Sequence, residues 1–203
     1  MELIKKNIHI DRTKCKASTQ VTLEDDMNIS DQKPDASQLI LEQGNVVVDE
    51  IRASSDHVFV KGKLVFTVMY LTDEDEKRAA GIEGSIPFDE QIYMEGVNSA
   101  DAVNLDKEVE DLSVGMINSR KFSVKALINL KLNVEELYDG EAAVEVFNNE
   151  PVEFAKKPID LDELAIQKKD IFRIKEELEQ PQSMPNIFDI IWKECKLGDV
   201  EFK

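Results

Sequence analysis

The run "FSVKALINLKLNV", residues 122–134, constrains the fold more than any other part of this chain. Phe122, Val124, Ala126, Ile128, Leu130, Leu132 and Val134 fall on one side of a period of two, and Ser123, Lys125, Asn129, Lys131 and Asn133 on the other. A helix would scatter those apolar residues around its circumference, whereas a strand gathers them on one face. Leu127 is the exception. "VFVKGKLVFTVMY", residues 58–70, alternates in the same way through Val58, Val60, Leu64, Phe66, Val68 and Tyr70. Its second half is apolar on both faces, as Val65, Met69 and Leu71 show, which predicts a strand running through the middle of a packed core. The two runs also match each other at an offset of 64 residues.

Further strands are expected near 19–27, 45–52, 81–94, 107–116, 143–148 and 171–178. Turn signals lie between them at Gly44-Asn45, Ser54-Ser55-Asp56, the acidic run 72–76, Asn118-Ser119 and Asp139-Gly140. Asp139-Gly140 is read as a tight reversal with positive φ. Pro34 and Asp35 suit the first turn of a short helix ending by Gly44. Pro185 and the following "NIFDIIWKEC" repeat that plan, ending at Gly198. The expected fold is mostly β, an antiparallel sandwich or barrel with short helices laid across it. Its parts are a first domain over 1–148, a linker over 149–170 and a partial second repeat over 171–203.

Behind that last boundary stands a second periodicity. At an offset of 151, Val21 and Leu23 answer Phe172 and Ile174, Pro34 answers Pro185, and Ile51 answers Phe202. We read this as an internal repeat whose second copy breaks off at Lys203. A β unit cut there leaves Phe188, Ile190, Trp192 and Phe202 short of partners. Three readings follow: the chain is a fragment of a longer protein, the half-unit docks on the first domain, or it completes another molecule. The first is preferred.

Charge narrows the partners. With 25 Lys and Arg against 42 Asp and Glu, the net charge is −17. Such a surface repels phosphate backbones and anionic membranes, and suits a soluble protein or a basic protein partner. The N-terminus lacks the apolar core of a signal peptide, and no apolar run approaches the length of a membrane span. A cytosolic chain is expected, with Cys15 and Cys195 as reduced thiols.

Chemistry-bearing patterns are scarce. His9 falls in what reads as a mobile N-terminal segment and His57 at a turn before a strand, and neither has the companions a zinc site needs. No GxSxG elbow occurs. Gly62-Lys63 lacks the rest of a P-loop and sits in a strand, where Gly62 marks a bulge or close packing. The acidic stretches 24–26, 72–76 and 106–111 lack calcium-loop spacing and are read as solvated turns. No catalytic, cofactor-binding or metal-binding residue is assigned, and an enzyme is not expected.

The runs "KASTQVTLEDDMNISDQKPDASQLILEQGNVVVDEI", "VKGKLVFTVMYLTDEDE", "EGSIPFDEQIYMEGV" and "INSRKFSVKALINL" resemble the SPOCS domain of the SipL-like clostridial spore-coat morphogenetic family. "KDIFRIKEELEQPQSMPNIFDIIW" resembles the opening of a second such unit. Family members commonly continue to a glycan-binding LysM module, which is not found in this sequence. The resemblance implies a non-catalytic adaptor for spore-coat assembly in the mother cell, at the forespore surface. Its partners would be other coat proteins and the ATPase of the basement layer, with self-association open. The alternative is a β-sandwich module that binds a small ligand or glycan. An adaptor should expose an apolar patch or a bare strand edge, and a ligand binder a closed concave pocket. Phe188, Ile190, Trp192 and Phe202 are the expected partner interface, because buried aromatics anchor contacts well.

Overall fold

The computed structural model describes residues 2–74, 76, 78–147 and, beyond these, 153, 155–160, 162, 166, 173–177, 179–187, 190–194 and 198. Six strands form the described fold: β1 (Glu2–Asn28), β2 (Ala36–Ser54), β3 (His57–Thr72), β4 (Ala79–Tyr93), β5 (Ala102–Asn118) and β6 (Lys121–Phe147). They make two antiparallel sheets, ordered β1-β6-β5 and β2-β3-β4. The sheets face each other as a sandwich, and the two runs of strict alternation are their central strands. From β3, Val58, Val60, Leu64 and Val68 are fully buried; from β6, Phe122, Ile128, Leu130 and Val134 are. Each such side chain taken from water contributes about 1.5–3 kcal/mol. Tyr70 packs edge-on against Phe122 across the interior, with ring centroids 5.8 Å apart.

The offset of 64 now has a structural meaning. It superposes the β2–β3 turn (Ser55-Asp56) on the β5–β6 turn (Ser119-Arg120), so each sheet contains a hairpin closed by a two-residue turn. Each turn clasps the chain crossing between the sheets. Asp56, whose φ is +59°, accepts from Met94 N at 2.8 Å and donates its N–H to Val97 O at 2.9 Å. Its carboxylate accepts from Gly96 N at 2.7 Å. At the other turn, Arg120 O accepts from Ile29 N at 2.8 Å and Ser119 O from Ala36 N at 2.7 Å. Met94 and Ile29, the first residues of the two crossings, are both buried.

Several expectations are corrected. Residues 36–44 are strand, not helix, and run on as β2 into the strand expected at 45–52; no helix occurs among the described residues, and the helix expected from Pro185 to Gly198 lies partly outside them. A short helix over 35–43 would have had few apolar partners and weak internal cooperativity. As a strand the same residues gain a ladder to β3, with Leu39 opposite Tyr70. Pro34 instead fixes the crossing between the sheets. Its carbonyl accepts from the Tyr70 hydroxyl at 3.0 Å. Asp35 accepts from Arg120 Nη1 at 2.5 Å and Ser119 Oγ at 2.8 Å.

Gly44-Asn45 and Asp139-Gly140 are not reversals. Gly44 lies opposite Phe66 within β2, and Asp139 and Gly140 lie opposite His9 and Ile8 within β6. Residues 143–147 of the strand expected at 143–148 are therefore the end of β6, and residue 148 lies outside the described residues. His9 is likewise held in a ladder rather than in a loose segment. Two acidic stretches are strand rather than turn, with lysines across the ladder: Asp26 pairs with Lys121 at 2.7 Å, Glu24 with Lys125 at 3.1 Å and Glu108 with Lys131 at 3.7 Å. The third, 72–76, follows from the end of β3, where Thr72 N donates to Arg78 O at 2.9 Å.

Gly62 stands as expected. A Cβ there would strike the Val47 carbonyl and the Phe88 ring, next to the register shift between Val48 and Glu50. Of the linker expected over 149–170, residues 153, 155–160, 162 and 166 are described, and of the partial second repeat residues 173–177, 179–187, 190–194 and 198; the rest lie outside the described residues.

Candidate protein-interaction site

Sheet β1-β6-β5 is longer than its partner, and that difference builds the site. β5 begins at Ala102, opposite Glu135, so residues 136–147 of β6 pair only with residues 2–12 of β1. The pair leaves the sandwich as a two-stranded ribbon, here called the arm. At about 3.3 Å per residue it reaches roughly 35 Å. It has no second sheet to cover it, so large apolar side chains stay exposed: Leu137 at 71%, Phe147 at 58%, and Leu3, Ile4, Tyr138 and Val144 nearly half. Ile8 alone is buried there. On one face, Leu3, Ile8, Ala142 and Val144 line a groove of about 880 Å³ with Pro158 and Ile159.

The arm is held by charge as well as by its ladder. Lys5 pairs with Glu141 at 2.7 Å, His9 with Asp139, and Arg12 Nε donates to Glu136 Oε1 at 2.7 Å. The Arg12 guanidinium also lies over the Tyr138 ring, 4.6 Å from its centroid. These contacts are exposed, and each contributes little in water. At the root they become more enclosed. Lys14 Nζ reaches Asp101 at 2.8 Å and Glu136 at 3.4 Å, and Asp101 has a side chain only 6% exposed.

The hydrogen bond to Asp101 raises the Lys14 ammonium above its ordinary range. Burial pushes the Asp101 carboxyl up, but the bonds from Lys14 and Asn98 outweigh it and leave it low. Arg12 lowers Glu136 in turn. Beside them Cys15 is a free thiol whose pKa burial raises. The arm is thus anchored rigidly at its base and open at its tip.

A second surface lies at the outer side of β4. The Ile191 carbonyl sits over Gly81, where any Cβ would collide with it, and Lys193 pairs with Glu83 at 2.6 Å. Ile190 and Ile191 border a groove with Met27, Lys33 and Thr67. Of the expected interface residues, Ile190 is 72% exposed and Trp192 is half-buried. Phe188 and Phe202 lie outside the described residues. Ile191 and Lys193 thus lie against β4.

Sequence reasoning missed the arm. The signal was present in Ile8 and Ile10 alternating with Asn7 and His9, and in Val144 and Val146 alternating with Glu145. His57 is satisfied locally, with Nδ1 3.0 Å from Ser55 O and its ring against Tyr93. Among the described residues no three His, Cys, Asp or Glu side chains are grouped to hold a metal. No described helix is long and apolar enough to cross a membrane.

Fold and site together define a β-sandwich that carries a protruding two-stranded arm. Residues 35–117, from the Asp35 clasp through nearly all of β5, match the family model described as SipL, SPOCS domain. Over that span the chain carries a SPOCS domain, a domain of a sporulation-related family. The matched span excludes β1 and β6, the two strands that form the arm. No curated protein and no solved structure matches the chain.

Proposed function

We propose that this protein is a non-catalytic adaptor for spore-coat assembly, acting in the mother cell at the forespore surface. The observation that carries the reading is the arm, which presents exposed Leu137, Phe147, Leu3 and Ile4 beside strand edges that pair with no further strand among the described residues. An exposed strand edge offers a partner a ready ladder of backbone hydrogen bonds, and neighbouring apolar side chains give it selectivity. The sandwich interior is filled by its own side chains, which leaves the surface as the place for contacts. The family match supports a role in sporulation, and the exposed arm supports the adaptor reading.

Partners in this reading are other coat proteins, with the basement-layer ATPase first among them. Co-expression pull-down with that ATPase tests it. Wild-type protein and a Tyr93→Ser control, altered at an exposed residue of the body, should be retained. A Leu137→Ser/Phe147→Ser variant should be lost while keeping the β signature of its circular dichroism. Retention of that variant at the wild-type level would refute the assignment of the contact to the arm.

A further inference from the structure

We infer that the arm is also a dimerisation element, in which the β1 edges of two copies pair antiparallel to give a four-stranded sheet ordered β6-β1-β1-β6. The inference rests on the arm being an interaction element, as proposed above, and names a second copy of this chain as an occupant. A two-stranded ribbon is marginal by itself, and doubling it satisfies one row of edge groups on each copy.

Charge and geometry select which edges meet. Residues 136–147 of β6 carry Glu136, Asp139, Glu141 and Glu145 and no base, so two β6 edges repel. Residues 2–12 of β1 carry Lys5, Lys6 and Arg12 with Glu2 and Asp11, a mixed row that can complement itself. Pairing about a two-fold axis at Ile8 sets Lys5 opposite the partner's Asp11, and Asp11 opposite the partner's Lys5.

The mixed arrangement, β6 of one copy antiparallel to β1 of another, puts both bodies on the same side. They would then be only about 10 Å apart, two strand spacings, and would collide. Antiparallel β1 edges instead send the bodies to opposite ends of the joined arms. Repulsion between two chains of −17 each is then screened, because the separation exceeds the Debye length of about 8 Å at physiological salt. Such an isologous two-fold contact closes at two copies.

Sedimentation velocity on the full chain at physiological salt, over a concentration series, tests the stoichiometry. A monomer–dimer equilibrium that stops at two is expected. Asp11→Lys should weaken it about tenfold, since it sets two like-charge pairs in the interface. Contact geometry is tested in a Cys15→Ser/Cys195→Ser background by mixing Asn7→Cys with His9→Cys chains under mild oxidation. These positions oppose each other about the Ile8 axis, so the mixed disulfide should exceed either self-disulfide. A chain that stays monomeric, assembles beyond two, or cross-links through Glu141→Cys on the β6 edge would overturn the inference. Dimerisation with a negative ATPase pull-down would keep this inference and discard the ATPase as partner; a positive pull-down by a strictly monomeric chain would do the reverse.

Discussion

The body and the arm are made from the same two strands, β1 and β6, and differ in what covers them. Over residues 122–134, β6 lies between β1 and β5 and faces β3 across the core, so Phe122, Ile128, Leu130 and Val134 are sealed from water. From residue 136 onward the same strand keeps β1 but loses both β5 and the opposing sheet, and Leu137 stands 71% exposed. The ladder alone does not bury a strand; the second sheet does. What is scaffold in one half becomes a contact surface in the other.

Mutations should separate the two halves sharply. Phe122→Ala empties a fully buried aromatic site and should cost about 3–5 kcal/mol in urea unfolding, the largest effect foreseen. Next comes the turn that clasps the β4–β5 crossing. Asp56→Ala loses the carboxylate bond to Gly96 and places a Cβ residue without local support at φ +59°, at a cost of about 1–2 kcal/mol. Asp56→Gly, free of the backbone strain, should lose less, and thermal melts of the two variants measure the difference.

The second clasp should show itself through pH. Arg120, then Ser119, hold the Asp35 carboxyl below the ordinary carboxylate range. Its contribution is therefore fully present above the unfolded carboxylate value of about 3.9 and is lost as pH falls through the lower folded value. Thermal melts of wild type and Asp35→Asn should differ at pH 7 and converge in that acid window. An unchanged gap at low pH would show that the carboxylate charge is not what closes the clasp. Smallest of all, Leu137→Ser on the arm should change stability by no more than about 0.5 kcal/mol in the same urea titration. A loss as large as that at Phe122 would place Leu137 in a core.

The sequence already showed the body's centre. Strict alternation in 122–134 and 58–70 marks strands with one sealed face, and the offset of 64 marks two hairpins with matching two-residue turns. The short helices were misread because Pro34 and Asp35 serve equally well to start a helix or to fix a crossing. The deciding partners, Tyr70 and Arg120, are distant in the chain. Asp139-Gly140 was misread because a turn dipeptide also tolerates an extended ladder when a long partner strand lies opposite. The arm itself was hidden by its exposure: with one face wet and the other only partly covered, its alternation is weaker than that of the core strands. The interface expected at Trp192 rested on residue type, while the arm emerges only from where β5 begins.

Amide hydrogen exchange on the full chain tests the central claim most directly. The account predicts two classes of amide. Those of β3 and of residues 122–134 should exchange only through global unfolding, while those of residues 2–12 and 136–147 should exchange through local opening and become slow when the arm is occupied. Arm amides as protected as those of β3 in dilute, unpartnered protein, or unchanged protection on binding, would contradict it.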